Sequence, residues 1–131
     1  MRSVTDHIVE GDSVNHQLRI DVLDEPGAGG ANHKYHICLP KNGNDPVDAQ
    51  SLSGITFIGF QNGPITEAGV NGLTQEALLV VVIDRLRSFQ SGPFSCRENA
   101  IALTHCEDAL MWLQRRTRAR IARGVEGTNV K

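Results

Sequence analysis

The chain has 131 residues, 40% of them hydrophobic and 21% charged, with a formal net charge of −2. That size supports one domain, 1–131, with a core of its own. No stretch approaches the ~18 apolar residues of a membrane span, and the opening MRSVTDHIVEG lacks the apolar segment of a secretory signal.

Charge is spread unevenly. Residues 1–84 carry 11 acidic and 4 basic side chains, whereas 85–131 carry 9 basic and 4 acidic ones, five of them arginines between Arg115 and Arg123. Proteins that coat nucleic acid draw affinity from releasing many counterions and carry a basic excess. A local arginine cluster in an acidic chain fits a small, defined anion better. The three cysteines, Cys38, Cys96 and Cys106, are odd in number and lack zinc-type spacing. They read as free thiols in a reducing cytoplasm.

In chain order, residues 1–16 show no clear period, and Val4, Ile8 and Val9 make either a flexible arm or an edge strand. Gln17–Leu23 alternates, with Leu18, Ile20 and Val22 on one face, as a half-buried strand does. Asp24–Asn32 is turn chemistry throughout. His33–Leu39 alternates Tyr35, Ile37 and Leu39, a second strand hairpinned to the first, and Lys41–Ser53 is a polar loop. Gly54–Gln61 is apolar on both faces, which predicts a more buried third strand.

After the connection Asn62–Gly72, Thr74 caps a helix with Glu76 in its first turn. Its body, residues 77–83, is apolar all round, and the Asp84/Arg87 pair favours helix over strand. Such a helix must be covered on every side, which predicts a homo-oligomer. The helix ends near Phe89, and Gln90–Phe94 turns the corner. Ser95 and Glu98 then have capping-box spacing. Beyond them Asn99, Leu103, Cys106, Leu110, Leu113, Thr117 and Arg120 recur at alternating four and three, one face of a long helix closed by Gly124 at C′. Trp112 is read as core. The predicted class is α+β: a small N-terminal antiparallel sheet followed by two packed C-terminal helices.

No catalytic set emerges. Gly27 and Gly29 start a GxGxxG pattern, but its third glycine falls on Asn32 and a strand follows. No phosphate-binding GxxxxGK[ST] and no GxSxG occurs. His36 and Cys38 share a strand face, yet two residues do not make a metal site. Neither metal nor cofactor is expected.

Binding chemistry is better represented. Arg116, Arg120 and Arg123 share a helix face, and guanidinium forks grip phosphate bidentately. The plain alternative is that cations near a helix C-terminus stabilise it through the dipole, by ~0.3–1 kcal/mol each. Phe89, at the end of the first helix, is either core or a stacking platform for a base. Asn99 stands at a stripe position where an apolar residue is expected. Its amide suits a base edge or ribose, or the backbone of the corner.

As a set these residues resemble a phage family, the Thoeris anti-defence protein 1 family. The features are GVNGLTQEALL, IDRLRSFQSGPFSCREN, ALMWLQRRT and ARGVEGT, with PGAGGANHKY and ITFIGFQNGP upstream, together covering about residues 17–131. The resemblance implies a non-enzymatic sponge, which binds cyclic ADP-ribose isomers made by bacterial TIR-domain sensors and holds them uncleaved in the infected host's cytoplasm. It implies homodimers, in some members hexamers, and in some members separate sites for cyclic di- or trinucleotides. It places Phe89 against the adenine, Asn99 in a polar contact, and Arg116 and Arg120 on the pyrophosphate, with Arg123 and the Asn71 loop as second-tier contacts. Two rival readings are a nucleic-acid-binding phage regulator using the arginine helix and a hydrolase of the same cyclic nucleotide.

Overall fold

The computed structural model describes residues 1–39 and 54–131. The loop read at Lys41–Ser53 lies outside the described residues. The chain forms two compact units, Met1–Gly63 and Pro64–Lys131.

The first unit is a four-stranded antiparallel sheet in the order β1 (Arg2–Val4), β2 (Arg19–Val22), β3 (Lys34–Cys38), β4 (Ile55–Gly59). Among the described residues the start of the chain is therefore an edge strand. The register pairs Asp21 with Ser3 on one side and His36 on the other, and Arg19 with Cys38. Alternation then puts Ser3, Arg19, Asp21, His36 and Cys38 on one face. On this polar face Asp21, His36 and Cys38 are buried; on the opposite face Val22 is buried as well, and Ile20, Tyr35 and Ile37 are half-buried.

Burial of these groups is tolerated because they satisfy one another. Asp21 accepts from Ser3 Oγ at 2.7 Å, His36 Nε2 at 2.6 Å and Arg19 Nε at 2.8 Å. The expectation of a more buried third apolar strand fails. That strand is β4, which ends the sheet among the described residues and leaves Phe57 63% exposed. Apolar composition alone does not distinguish a covered central strand from an edge. The turn Asp24–Asn32 is held by Asp24, which accepts from the His33 and Lys34 amides. A Cβ at position 27 would lie 3.1 Å from Asn62 Oδ1, so the Asn62 side chain would have to give by a few tenths of an ångström.

The second unit opens on a four-residue helix, α1 (Ile65–Ala68), inside the connection read as loop. The helices α2 (Gln75–Gln90) and α3 (Arg97–Ala122) follow as a hairpin. Thr74 Oγ1 caps α2 by accepting from the Ala77 amide at 3.2 Å, as expected. The cap of α3 is displaced by one residue from the predicted Ser95. Cys96 Sγ accepts from the Asn99 amide at 3.4 Å, and Gln90 Oε1 accepts from the Cys96 amide at 3.2 Å. Gln90 thus does the work assigned to Glu98, and it also ties the end of α2 to the start of α3.

Every stripe position predicted on α3, from Asn99 to Arg120, is half-buried or buried, and on α2 Leu79, Ile83, Leu86 and Gln90 recede likewise. Of the apolar run on α2 only Ile83 is fully buried; Val80, Val81 and Val82 are 49%, 66% and 45% exposed. Trp112 is not core. It is 60% exposed, with the Arg115 guanidinium 5.0 Å from its ring centre. The tail closes as a Schellman motif, with Val125 N–H donating to Arg120 O and Gly124 N–H to Ile121 O, and Gly124 at φ +71°.

Candidate ligand site

The predicted site residues fall at two ends of the helical hairpin. At the corner, Phe89 lies in the last turn of α2 and Asn99 in the first turn of α3. Phe89 is 36% exposed, and Arg85, one turn earlier, lays its guanidinium 4.9 Å from the ring centre. The two line a pocket of 540 Å³ with Asp84, Ser88 and Phe94, the last 76% exposed. That volume suits a small-molecule ligand. Asn99 is half-buried, and its side-chain amide has no hydrogen-bond partner among the described residues. The corner backbone does not satisfy it, so its donor and acceptor are both available.

At the other end stand Arg116, Arg120 and Arg123. Their shared face does not give them a shared environment. Arg116 is exposed and without an ion pair among the described residues. Arg120 is buried, 8% exposed, and folds the tail around itself. Its Nε donates to Glu126 at 3.0 Å, its Nη2 to the carbonyls of Val125 and Thr128 at 2.9 and 3.0 Å, and its Nη1 to the Val130 carbonyl. Four of the five guanidinium N–H groups are thereby occupied. Arg123 donates to the Lys131 carbonyl. The loop bearing Asn71 leads into α2 at this same end, since α2 and α3 run antiparallel across the Arg87–Glu107 pair.

The two groups cannot meet within one hairpin. From Asn99 to Arg116 is 17 helical residues, about 26 Å, and to Arg120 it is about 32 Å. A 540 Å³ pocket is roughly 8 Å across. One chain thus carries Phe89 and Asn99 at the corner end, with Asn99 outside the lining of the Phe89 pocket, and, separately, Arg116, Arg120, Arg123 and the Asn71 loop at the other end.

Sequence reasoning did not single out Asp84, Arg85 and Phe94. The i, i+4 spacing of Arg85 and Phe89 was the signal available. It also missed Asp21 as a neighbour of His36 and Cys38, because that contact depends on strand register. These three offer an oxygen, a nitrogen and a sulfur within 4.8 Å of one another, the donor types a metal takes. Arg19 already supplies a cation there, bonding to Asp21 and lying 3.8 Å from Cys38 Sγ. Burial alone would raise the Asp21 carboxyl. The hydrogen bonds from Ser3, His36 and Arg19 outweigh it and hold the group below the usual carboxylate range.

A second concavity, of 310 Å³, lies in the first unit beside His7 and Gln17. His7 Nδ1 and Gln17 Oε1 are buried with no partner among the described residues.

The family model described as the Acb2/Tad1 hairpin domain matches residues 54–118. A relative named Thoeris anti-defense 1, from Bacillus phage SBSphiJ7, is 55% identical over 106 residues, covering 79% of this chain and 75% of the relative. The chain belongs to the Thoeris anti-defense 1 family. The hairpin domain spans β4, both long helices as far as Arg118, and with them Asn71, Phe89, Asn99 and Arg116. Arg120, Arg123 and the tail they hold follow it. No helix among the described residues is long and apolar enough to cross a membrane.

Proposed function

We propose that the chain is a phage anti-defence protein that binds cyclic ADP-ribose isomers in the cytoplasm of the infected host and sequesters them without cleavage. The observation that carries this reading is the division of labour between the hairpin ends. One end has an aromatic ring, an unpartnered amide and a pocket of nucleoside size; the other has an open guanidinium beside a buried one. The name of the 55% identical relative supports the same direction.

Since one hairpin cannot join its own two ends, the site is built between chains. The corner of one protomer supplies Phe89 and Asn99, and the arginine end of a partner supplies Arg116 and Arg120. A two-fold arrangement of antiparallel hairpins forms two such sites at once. It also covers the apolar positions that a single chain leaves open, Val80, Val81, Val82 and Met111 among them. Arg116 meets the pyrophosphate first. Arg120 exchanges tail carbonyls, which stand where phosphate oxygens would, for the ligand itself. The tail with Gly124 and Gly127 is then free to fold over the bound nucleotide, beside Arg123 and the Asn71 loop.

The polymer-binding alternative predicts affinity that scales with polymer length and falls steeply with salt, whereas sequestration predicts one stoichiometric small ligand. The test is calorimetric titration with cyclic ADP-ribose isomers, followed by heat denaturation and chromatography of the released ligand. Tight binding with intact ligand supports sequestration. Altered ligand means an enzyme, and no heat with any isomer rejects the reading.

A further inference from the structure

We infer that Asp84 reads the amino edge of the base stacked on Phe89, so that the pocket selects nucleotides bearing a free exocyclic amino group, an assignment that rests on the nucleotide reading above. Asp84 and Arg85 sit on the pocket-facing side of α2, one turn before Ser88 and Phe89. The helix offers Asp84 a natural partner in Arg87, three residues on. Arg87 instead reaches across to Glu107 at 2.8 Å. Arg85 is drawn over the Phe89 ring at 4.9 Å. Ser88 turns its hydroxyl back to the Asp84 carbonyl at 3.1 Å and away from the carboxylate. Among the described residues the Asp84 carboxylate is thus left without an ion pair, on the wall of a pocket that it shares with the Phe89 and Phe94 rings, Arg85, Val81 and Ser88.

An ionised carboxylate only accepts hydrogen bonds. A flat ring on Phe89 presents its edge to the pocket wall, and the edge group that a carboxylate favours is an N–H donor. The 6-amino group of adenine is such a donor. The carbonyl of hypoxanthine at the same position would set lone pairs against lone pairs. Stacking accepts any base, whereas a wall acceptor that loses its donor on ligand closure is costly. Asp84 therefore supplies the selectivity that Phe89 cannot.

The experiment is calorimetric titration of the full-length protein with a cyclic ADP-ribose isomer closed between its two riboses, which leaves the 6-amino group free, and with its hypoxanthine counterpart. The wild-type protein should bind the hypoxanthine form at least about tenfold more weakly, the effect of one charge-assisted hydrogen bond. Asp84→Asn has an amide that accepts from an amino group and donates to a carbonyl, so it should bring the two ligands within about threefold of each other. Asp84 is exposed on the helix surface, and circular dichroism should show the variant folded as the wild type. Equal wild-type affinity for both ligands, or full discrimination retained by Asp84→Asn, overturns the role of Asp84 while leaving sequestration standing. Binding of neither ligand overturns both.

Discussion

Replacing Arg120 by methionine keeps an unbranched apolar stem against the helices and removes the guanidinium that organises the tail. Four hydrogen bonds disappear, to Glu126 and to the carbonyls of Val125, Thr128 and Val130. Each bond from a charged donor contributes about 1.5–3 kcal/mol when its acceptor stays dry. Here Glu126 is 41% exposed at its side chain and the freed carbonyls lie near the surface, so water recovers much of the loss. A net cost of about 2–4 kcal/mol to tail docking follows.

That cost is local. The Schellman bonds use the backbone of residue 120 and survive the substitution, so the end of α3 should stay helical. Hydrogen exchange reads the change directly, at the Thr128 amide bonded to Val125 O and the Thr66 amide bonded to Gly127 O, both at 3.1 Å. Both should exchange between about thirty-fold and several-hundred-fold faster in Arg120→Met, with α2 unaffected. Exchange at Thr66 and Thr128 within about threefold of wild type would refute the view that Arg120 holds the tail.

Three further outcomes are expected. Phe89→Ala should weaken nucleotide binding by ~1–3 kcal/mol or more, with little change in thermal stability because the ring is already 36% exposed; an equal loss of stability would make Phe89 a core residue instead. The depressed Asp21 carboxyl stabilises the fold above its ordinary value of 3.8, and that stability is lost as pH falls through the lower folded value. Asp21→Asn should therefore cost about 1–3 kcal/mol in urea unfolding at pH 7 and flatten the acid limb, and an unchanged acid limb would mean another group drives it. Gly124→Ala should cost about 1–2 kcal/mol from its left-handed φ alone, since a Cβ there meets nothing within 4 Å.

The helical half was the more legible in sequence. The α3 stripe repeats on a period that only one packing face satisfies, and Thr74 and Gly124 carry their conformations in their side-chain chemistry. The cap of α3 slipped by one because a serine is the commoner cap and the sequence does not show Gln90 folding back onto the Cys96 amide. The sheet was legible as strands but not as surfaces. The burial of Asp21 follows from a register that brings Ser3, Arg19 and His36 around it, and none of those contacts is local.

Trp112 was misread because an aromatic residue on a helix is ordinarily core, whereas here the hairpin is two helices thick and its outer side stays open. Among the site residues, the sequence marks Phe89, Asn99 and the arginines as a group. The length of α3 is what separates them into two ends, and helix rise sets that distance.

The central claim is that the nucleotide is held between the corner of one chain and the arginine end of another. Complementation tests it most directly. Phe89→Ala and Arg116→Ala are each purified, their weakened affinity for the cyclic ADP-ribose isomer is measured, and they are then mixed in equal amounts, unfolded and refolded together. If Phe89 and Arg116 of one site come from different chains, random assembly leaves both intact in about a quarter of sites, and titration should recover that fraction with wild-type affinity. If the two residues serve one site from one chain, every site keeps one defect, and the mixture should bind no better than either variant alone.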